Sequence, residues 1–209
     1  MVQLLYELIS ALLQLLVAVL IPFVFFLFRK DKSETFFVYI GLYTPTRISL
    51  VYAIGASLLF VITGIGLTFL DEGMKQAVLS PDSVTGKLRL MGLNATSVTS
   101  LLIIAWCKTS LAEEIFFRGF IAKRLIHTLG LRLGNFLQAV IFGAIHVVLF
   151  WALTDTTLVP LTFIFAFSSI AGWTIGYIKE KYANGSIVPG WVAHGLGNTI
   201  SYFIIAFFI

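Results

Sequence analysis

Charged residues are scarce in this chain of 209 residues: Asp, Glu, Lys and Arg together make up 11%, whereas 59% of the residues are hydrophobic. Soluble domains carry about 25% charged residues. The mean hydropathy is +0.99, and a soluble core of this length could not bury so much apolar surface. Lipid must therefore surround most of the side chains, which excludes a soluble globular protein.

Cysteine is nearly absent as well. The single cysteine, Cys107, lies inside an apolar stretch, which excludes an internal disulfide framework and a cysteine-based zinc cluster. The N-terminal segment lacks the features of a cleavable signal peptide, because residues 1–7 contain no Lys or Arg and the apolar run continues to Phe28. We interpret this segment as the first membrane helix.

Long apolar runs, by contrast, are abundant. A membrane-spanning helix needs about 20 apolar residues, and polar connections with turn-forming residues separate six such runs. The predicted spans are 4–28, 48–70, 97–126, 134–151, 158–178 and 187–209. No internal repeat is visible. We therefore predict an all-α fold, a polytopic membrane protein with one domain over residues 1–209 that forms a bundle of about six transmembrane helices.

The positive charges are distributed unevenly over the connections. Nine lie on connections one, three and five: Arg29, Lys30, Lys32, Arg47, Lys123, Arg124, Arg132, Lys179 and Lys181. Three lie on the other side: Lys75, Lys87 and Arg89. The positive-inside rule predicts a multi-pass protein of the cell membrane with both termini outside. The net charge of +4 is attributed to this topology and to anionic lipid headgroups, so no nucleic-acid partner is expected.

Three ionisable residues interrupt the third span: Glu113, Glu114 and Arg118. A charge within hydrocarbon costs roughly 2.5–3.5 kcal/mol even on insertion scales, so such groups are functional by default. Glu114 and Arg118 are four residues apart and share one helix face, whereas Glu113 points about 100° away. We predict a structural ion pair and a free carboxylate. Lys108, five residues before Glu113 in the same span, could neutralise a neighbouring acid, and snorkelling or a polar cavity is an equally good interpretation.

Two histidines lie in other predicted spans. His146 follows Phe142 by four residues, and His194 precedes Asn198 by four. Because positions four apart share a helix face, His194 and Asn198 can donate hydrogen bonds toward one point, as a developing oxyanion requires. Small residues nearby are expected to let neighbouring helices approach closely: Gly143, Ala144, Gly195 and Gly197.

These residues form three motifs that resemble those of a known family. The order Glu-Glu-x-x-x-Arg at 113–118, Phe-x-x-x-His at 142–146 and His-x-x-x-Asn at 194–198 is similar to that of the CPBP family, the CAAX proteases and bacteriocin-processing enzymes also called Abi proteins. The motif-bearing core covers about 97–198, half of the chain. The resemblance implies an intramembrane endopeptidase of the CAAX prenyl protease 2 type.

The resemblance also implies residue roles. Glu113 and His146 would activate a water, His194 and Asn198 would stabilise the tetrahedral intermediate, and two residues would hold the motif helix in register: Glu114 and Arg118. Phe142, of the second motif, is expected to support the site. The substrate would be a peptide of a membrane-associated, lipidated (CAAX-like) or leader-peptide-bearing protein. We expect the site to open toward the cytoplasm or the inner leaflet.

Three questions stay open at this point. One carboxylate and two histidines also match a catalytic zinc set; we expect no cofactor to be required and keep zinc held by Glu113, His146 and His194 as the alternative. A non-catalytic member acting as a membrane regulator or bacteriocin-immunity protein would carry the same motifs. A small transporter or proton relay is a further alternative, disfavoured because no inverted repeat is found. The oligomeric state is not specified.

Overall fold

Helices make up every regular element in the ranges that the computed structural model describes, residues 2–30, 33–153 and 157–209. They are α1 (Val2–Phe28), α2 (Phe36–Tyr39), α3 (Arg47–Leu70), α4 (Glu72–Leu79), α5 (Val84–Met91), α6 (Ala95–Leu102), α7 (Lys123–Leu153), α8 (Leu158–Tyr182) and α9 (Val188–Phe208). Between α6 and α7 the chain continues as two π-helical stretches, Ile103–Leu111 and Glu114–Ala122. The predicted all-α class is confirmed. Asp155, expected to be solvated, lies outside the described residues.

Short polar side chains mark where four of these helices begin. Thr46, Asp71, Ser83 and Asn94 each accept a hydrogen bond from a backbone N–H in the first turn of α3, α4, α5 and α6 respectively, which satisfies donors that the helix itself leaves free. Ser97 completes a capping box with Asn94. The long polar connection predicted at 71–96 is therefore organised as two short helices and the start of α6.

Five continuous helical segments of the described chain are long and apolar enough to cross a membrane. One of them, Ala95–Ala152, has 58 residues and would reach about 87 Å if it were straight, nearly three hydrocarbon thicknesses. It folds back at Gly130, whose φ of 78° and ψ of 167° are not helical. A Cβ on Gly134 would lie 2.5 Å from the Ile126 nitrogen. This hairpin supplies two spans, so the number of spans matches the six predicted.

α9 lies in the middle of the bundle and packs against α3, α5, α8 and the first π-helical stretch. The Trp191 indole donates a hydrogen bond to the Trp106 carbonyl at 2.9 Å, and a Cβ on Gly195 would lie 2.7 Å from the Trp106 ring. The predicted close approach at Gly195 is confirmed. At Gly197 it is wrong, since the nearest atom to a Cβ there would be 3.9 Å away.

Candidate active site

The helix that carries the two glutamates is π-helical rather than α-helical on either side of Glu113. Such i→i+5 segments are rare and are frequently found at functional sites. Side-chain hydroxyls form hydrogen bonds to backbone carbonyls five residues earlier in this wider helix. The Thr109 hydroxyl donates to the Ile104 carbonyl at 2.9 Å, and the Ser110 hydroxyl donates to the Ala105 carbonyl. Hydroxyls of this kind compete with the backbone for its carbonyls. The α-helix predicted for this segment is therefore wrong in its hydrogen-bonding pattern.

Glu114 and Arg118 nevertheless form the predicted ion pair. Arg118 Nη1 lies 3.1 Å from Glu114 Oε1, and both side chains are completely buried. The guanidinium carbon lies 4.1 Å from the centre of the Phe142 ring, a cation–π contact. Gly190 of α9 packs so closely on the Glu114 carboxylate that an added Cβ would collide with it. Three segments of the bundle thus meet at this buried pair.

Glu113 faces away from the ion pair and toward both histidines. Its Oε2 atom lies 3.7 Å from His146 Nε2 on α7 and 3.9 Å from His194 Nε2 on α9. These distances are too long for direct hydrogen bonds, which makes a water the candidate link between the side chains. Oε2 is buried and has no hydrogen-bond partner among the described residues. A carboxylate oxygen with free acceptor capacity is therefore held between two imidazoles.

The orientation of the His146 ring follows from its own helix. Its Nδ1 lies 2.8 Å from the Phe142 carbonyl oxygen. Because a carbonyl only accepts hydrogen bonds, Nδ1 carries the proton, and in the neutral ring Nε2 presents a lone pair toward Glu113. The Phe142 ring packs against the imidazole with centroids 4.3 Å apart. Phe142 therefore orients His146 through its carbonyl and its ring, and the same ring also contacts Arg118.

His194 lies between the two glutamates. Its Nδ1 is 3.7 Å from Glu114 Oε1, and its Nε2 is directed to Glu113. One turn further along α9, Asn198 Nδ2 donates to the Thr109 hydroxyl oxygen at 3.0 Å. Since the Thr109 proton is used on a backbone carbonyl, the amide nitrogen must face Thr109. One amide proton of Asn198 is thereby committed, and the second is left for a ligand.

All four predicted catalytic residues line one cavity of about 360 Å³, a size typical of small-ligand sites. They are Glu113, His146, His194 and Asn198. Phe142 lines the same cavity, whereas Glu114 and Arg118 lie behind it, completely buried. Much of the remaining wall is apolar and includes four rings: Phe60, Phe150, Phe163 and Phe167. The structure thus brings together side chains that are up to 85 residues apart in the sequence, as the numbers 113 and 198 show.

The cavity lies in one half of the bundle, adjacent to α4 and α5. Met74 and Val84 of these helices line it, as do Leu67 near the end of α3 and Leu149 near the end of α7. This is the side of Lys87, which the charge distribution places outside. The predicted cytoplasmic opening and the predicted outward termini therefore contradict each other. The cytoplasmic opening was expected because His194 lies early in α9, near the end that the charge distribution assigns to the cytoplasm. The cavity, however, continues along α9 to Ile205.

Three residues that matter were missed from the sequence. Thr109 lies four residues before Glu113, and Tyr202 lies four residues after Asn198; both line the cavity, and their spacing of four was the available signal. Glu7 of α1 was not considered, yet its Oε2 lies 3.2 Å from Lys108 Nζ. Lys108 thus pairs with an acid of another helix and not with a neighbouring acid of its own helix. No local pattern connects residues 101 positions apart.

The residue types of this site are also ligand types for zinc. Ligands held about 2.0–2.2 Å from zinc in a tetrahedral site lie about 3.3–3.6 Å from one another, and the two separations from Glu113 are 3.7 and 3.9 Å. Within residues 2–30, 33–153 and 157–209, no three His, Cys, Asp or Glu side chains have the spacing of a metal site. As they stand, the three side chains have the chemistry of zinc ligands without the spacing.

A family model described as type II CAAX prenyl endopeptidase, Rce1-like, matches residues 95–200 of the chain. The match begins with the first residue of α6, ends two residues beyond Asn198 and contains every predicted site residue. No protein of curated function and no solved structure matches the chain. The matched segment overlaps the motif-bearing core predicted at about 97–198.

Proposed function

Because the chain belongs to the Rce1-like family of type II CAAX prenyl endopeptidases, we propose that its cavity hydrolyses a peptide bond of a membrane-anchored protein substrate. The family confirms the predicted resemblance and the predicted class of enzyme. The observation that carries the proposal is the position of Glu113: one carboxylate oxygen lies within 4 Å of imidazole nitrogens from two other helices, in a cavity.

Glu113 acts as the general base in this proposal. A water bound between Glu113 Oε2 and His146 Nε2 would be within reach of two acceptors that draw its protons away from the oxygen. The hydrogen bond to the Phe142 carbonyl keeps the His146 lone pair aimed at that position. Partial burial, with 16% of the Glu113 side chain exposed, lets water enter while limiting competing solvent. General bases of this kind contribute about 10²- to 10⁴-fold in rate.

His194 and Asn198 supply the donors for the tetrahedral intermediate. The attacked carbonyl oxygen becomes negatively charged as the water oxygen adds to the carbon, and preorganised N–H groups stabilise that charge. Thr109 holds the Asn198 carboxamide, which fixes the direction of its second N–H. Glu114 lies on the far side of the His194 ring, with its Oε1 3.7 Å from His194 Nδ1. When the intermediate collapses, the C–N bond breaks and the proton that Glu113 took from the water passes to the leaving amine.

Glu114, Arg118 and Phe142 position these groups. The buried ion pair joins the motif helix to α9 through Gly190, and the Phe142 ring connects it to the His146 helix. A residue that acts through another changes the rate without touching the substrate. Loss of the ion pair is therefore expected to lower kcat more than it raises KM.

The cavity supports a substrate with apolar groups next to the cleaved bond. Beyond the polar cluster its wall is formed by aromatic and aliphatic side chains from α3, α7 and α8, so the desolvation cost of binding a peptide is lowest where the peptide is apolar. A lipidated, CAAX-like segment fits this wall better than a charged peptide. A lipid bilayer presents such a segment at the depth of the cavity.

The test of this function is cleavage by the purified full-length protein in lipid nanodiscs. The probe is a farnesylated CAAX peptide, with the unprenylated peptide as comparison. Glu113→Gln should lower kcat by about 10²-fold or more, while the matched variant Glu72→Gln, at an exposed position of α4, should retain wild-type activity. Wild-type activity of Glu113→Gln would contradict the assigned base, and no cleavage by the wild type would contradict the proposed activity.

We further propose that no metal takes part, since no three His, Cys, Asp or Glu side chains of the described residues have the spacing of a metal site. Dialysis against a strong chelator should leave kcat unchanged. Loss of activity on chelation, restored by added zinc, would instead assign Glu113, His146 and His194 as ligands. The metal content of the active preparation, measured directly, tests the same question without relying on activity. A metal-free active enzyme supports the proposal, and one bound zinc per chain contradicts it.

A further inference from the structure

A second pocket lies at the opposite end of the bundle from the active-site cavity. It is formed by the turn of the α7 hairpin and the last turns of α8, has a volume of about 730 Å³, and is called the hairpin pocket here. Its polar and aromatic lining is Arg132, Asn135, Trp173, Tyr177 and Lys181. None of these residues takes part in the proposed reaction, so the hairpin pocket needs a separate account.

Two cations of the hairpin pocket have no protein counter-ion. Arg132 and Lys181 are both exposed, and neither forms an ion pair with any residue in the described ranges. The nearest acidic residue in sequence, Glu180, pairs with Lys179 instead. Two uncompensated charges facing one concave space attract an anion. The hairpin pocket therefore has the charge of an anion site.

The aromatic wall of the hairpin pocket is held in place by ring stacking and by side-chain hydrogen bonds. The Trp173 and Tyr177 rings stack 5.3 Å apart with an interplanar angle of 11°, and 44% of Trp173 remains exposed. Asn135 Nδ2 donates to the Trp173 carbonyl at 2.9 Å, and Gln138 Nε2 donates to Asn135 Oδ1 at the same distance. Trp and Tyr are enriched at the depth of lipid headgroups. The wall thus stands where a headgroup would lie.

Apolar surface continues from the hairpin pocket along the membrane. Leu133 and Phe136, directly after Arg132 on α7, are 49% and 55% exposed. A free phosphate would use the cations and leave these side chains unused, whereas the acyl chains of a phospholipid would cover them. Both parts of the surface are explained by one ligand that carries an anionic headgroup and hydrocarbon chains.

We propose that the hairpin pocket binds an anionic phospholipid, with its phosphate between Arg132 and Lys181. Basic pockets between transmembrane helices recognise such headgroups. The charge distribution also places these two residues on the cytoplasmic side, where the leaflet is anionic. The site is independent of the proposed protease function, because it shares no lining residue with the active-site cavity.

The test compares lipid binding to the purified full-length protein by native mass spectrometry. Phosphatidylglycerol should remain bound to the wild type, and Arg132→Gln combined with Lys181→Gln should weaken its binding at least fivefold. The matched control combines Lys87→Gln with Arg89→Gln, which removes one lysine and one arginine at exposed positions of α5; it should bind as the wild type does. Phosphatidylcholine, with no net charge, and glycerol 3-phosphate, with no acyl chains, should bind weakly to all three proteins.

Thermal unfolding in detergent gives a second readout. Added phosphatidylglycerol should raise the Tm of the wild type and of the α5 control by several degrees, and the pocket variant should show no such rise. If the double variant does not fold, each single variant is measured in the same way, and each should lose most of the rise. Equal phosphatidylglycerol binding by wild type and pocket variants, or equal binding of phosphatidylcholine, would overturn the proposal. Tight binding of glycerol 3-phosphate would overturn the choice of a lipid.

Discussion

Among the described residues, Glu114–Arg118 and Glu7–Lys108 are ion pairs inside the predicted spans 97–126 and 4–28, and they differ in almost every respect. Glu114 and Arg118 are four residues apart, belong to one helix and are completely buried. Glu7 and Lys108 are 101 residues apart, connect α1 to the first π-helical stretch, and leave 23% of the lysine side chain exposed. The first pair was visible in the sequence, and the second depends on which helices are neighbours. The local pair supports the active site, and the distant pair connects α1 to the helix that carries Glu113.

The largest effect is expected when one partner of the buried pair is removed. Arg118→Gln leaves the Glu114 carboxylate without its partner in a fully buried position, which costs about 3–5 kcal/mol in comparable pairs. We expect a large decrease in Tm and loss of peptidase activity, measured by thermal unfolding in detergent and by peptide cleavage.

The double variant Glu114→Gln with Arg118→Gln is the control for that experiment. It removes both charges, so much of the stability should return, although activity should remain low because His194 loses its neighbouring carboxylate. If the double variant is no more stable than Arg118→Gln alone, an unpaired charge is not the cause of the instability.

Gly190→Ala tests the same pair from the side of α9. The added methyl group would collide with the Glu114 carboxylate and with Ile175, and overpacking of this kind costs about 1–3 kcal/mol. We expect a lower Tm and a lower kcat, since α9 also carries His194. The control is Gly197→Ala, seven residues later, where a methyl group has room. This substitution should leave the Tm unchanged or raise it, because alanine favours a helix by about 1 kcal/mol over glycine. Equal effects of the two substitutions would argue against the close contact at Gly190.

The distant pair should give a smaller effect. Lys108 is partly exposed, so Lys108→Gln and Glu7→Gln are expected to cost about 1–2 kcal/mol, between the values for surface and buried pairs. Peptide cleavage at low temperature should stay near the wild-type rate, because neither residue lines the active-site cavity. A loss of kcat as large as that of Arg118→Gln would remove the distinction between the two pairs.

The smallest perturbation tests how both pairs lie in the membrane. In a Cys107→Ser background, cysteines at Lys87 on α5 and at Lys181 on α8 are labelled in intact cells with a membrane-impermeant maleimide, with no expected change in stability. The positive-inside rule predicts labelling at position 87 only from outside and at position 181 only from the cytoplasm. The active-site cavity would then face outward. The reverse pattern would place the cavity toward the cytoplasm and make the predicted orientation wrong.

The fold and much of the site follow from local rules that operate along one helix. Apolar runs of suitable length predicted the spans, including both halves of the hairpin that folds at Gly130. A spacing of four residues predicted the contact between Glu114 and Arg118 and the packing of Phe142 on His146. These contacts could be predicted because helix geometry sets them within a single turn.

Contacts between different helices could not be predicted from the sequence and became visible only in the tertiary structure. The sequence by itself determined a helical membrane protein, its local ion pair, and the residues that could carry chemistry. Only the packed bundle brought Glu113 between His146 and His194, gave Lys108 its partner in Glu7, and extended the cavity toward α4 and α5. The physical reason is that relative depth and rotation of packed helices depend on many small contacts, such as Gly190 on Glu114 and Gly195 on Trp106, which leave no periodic signal along the chain.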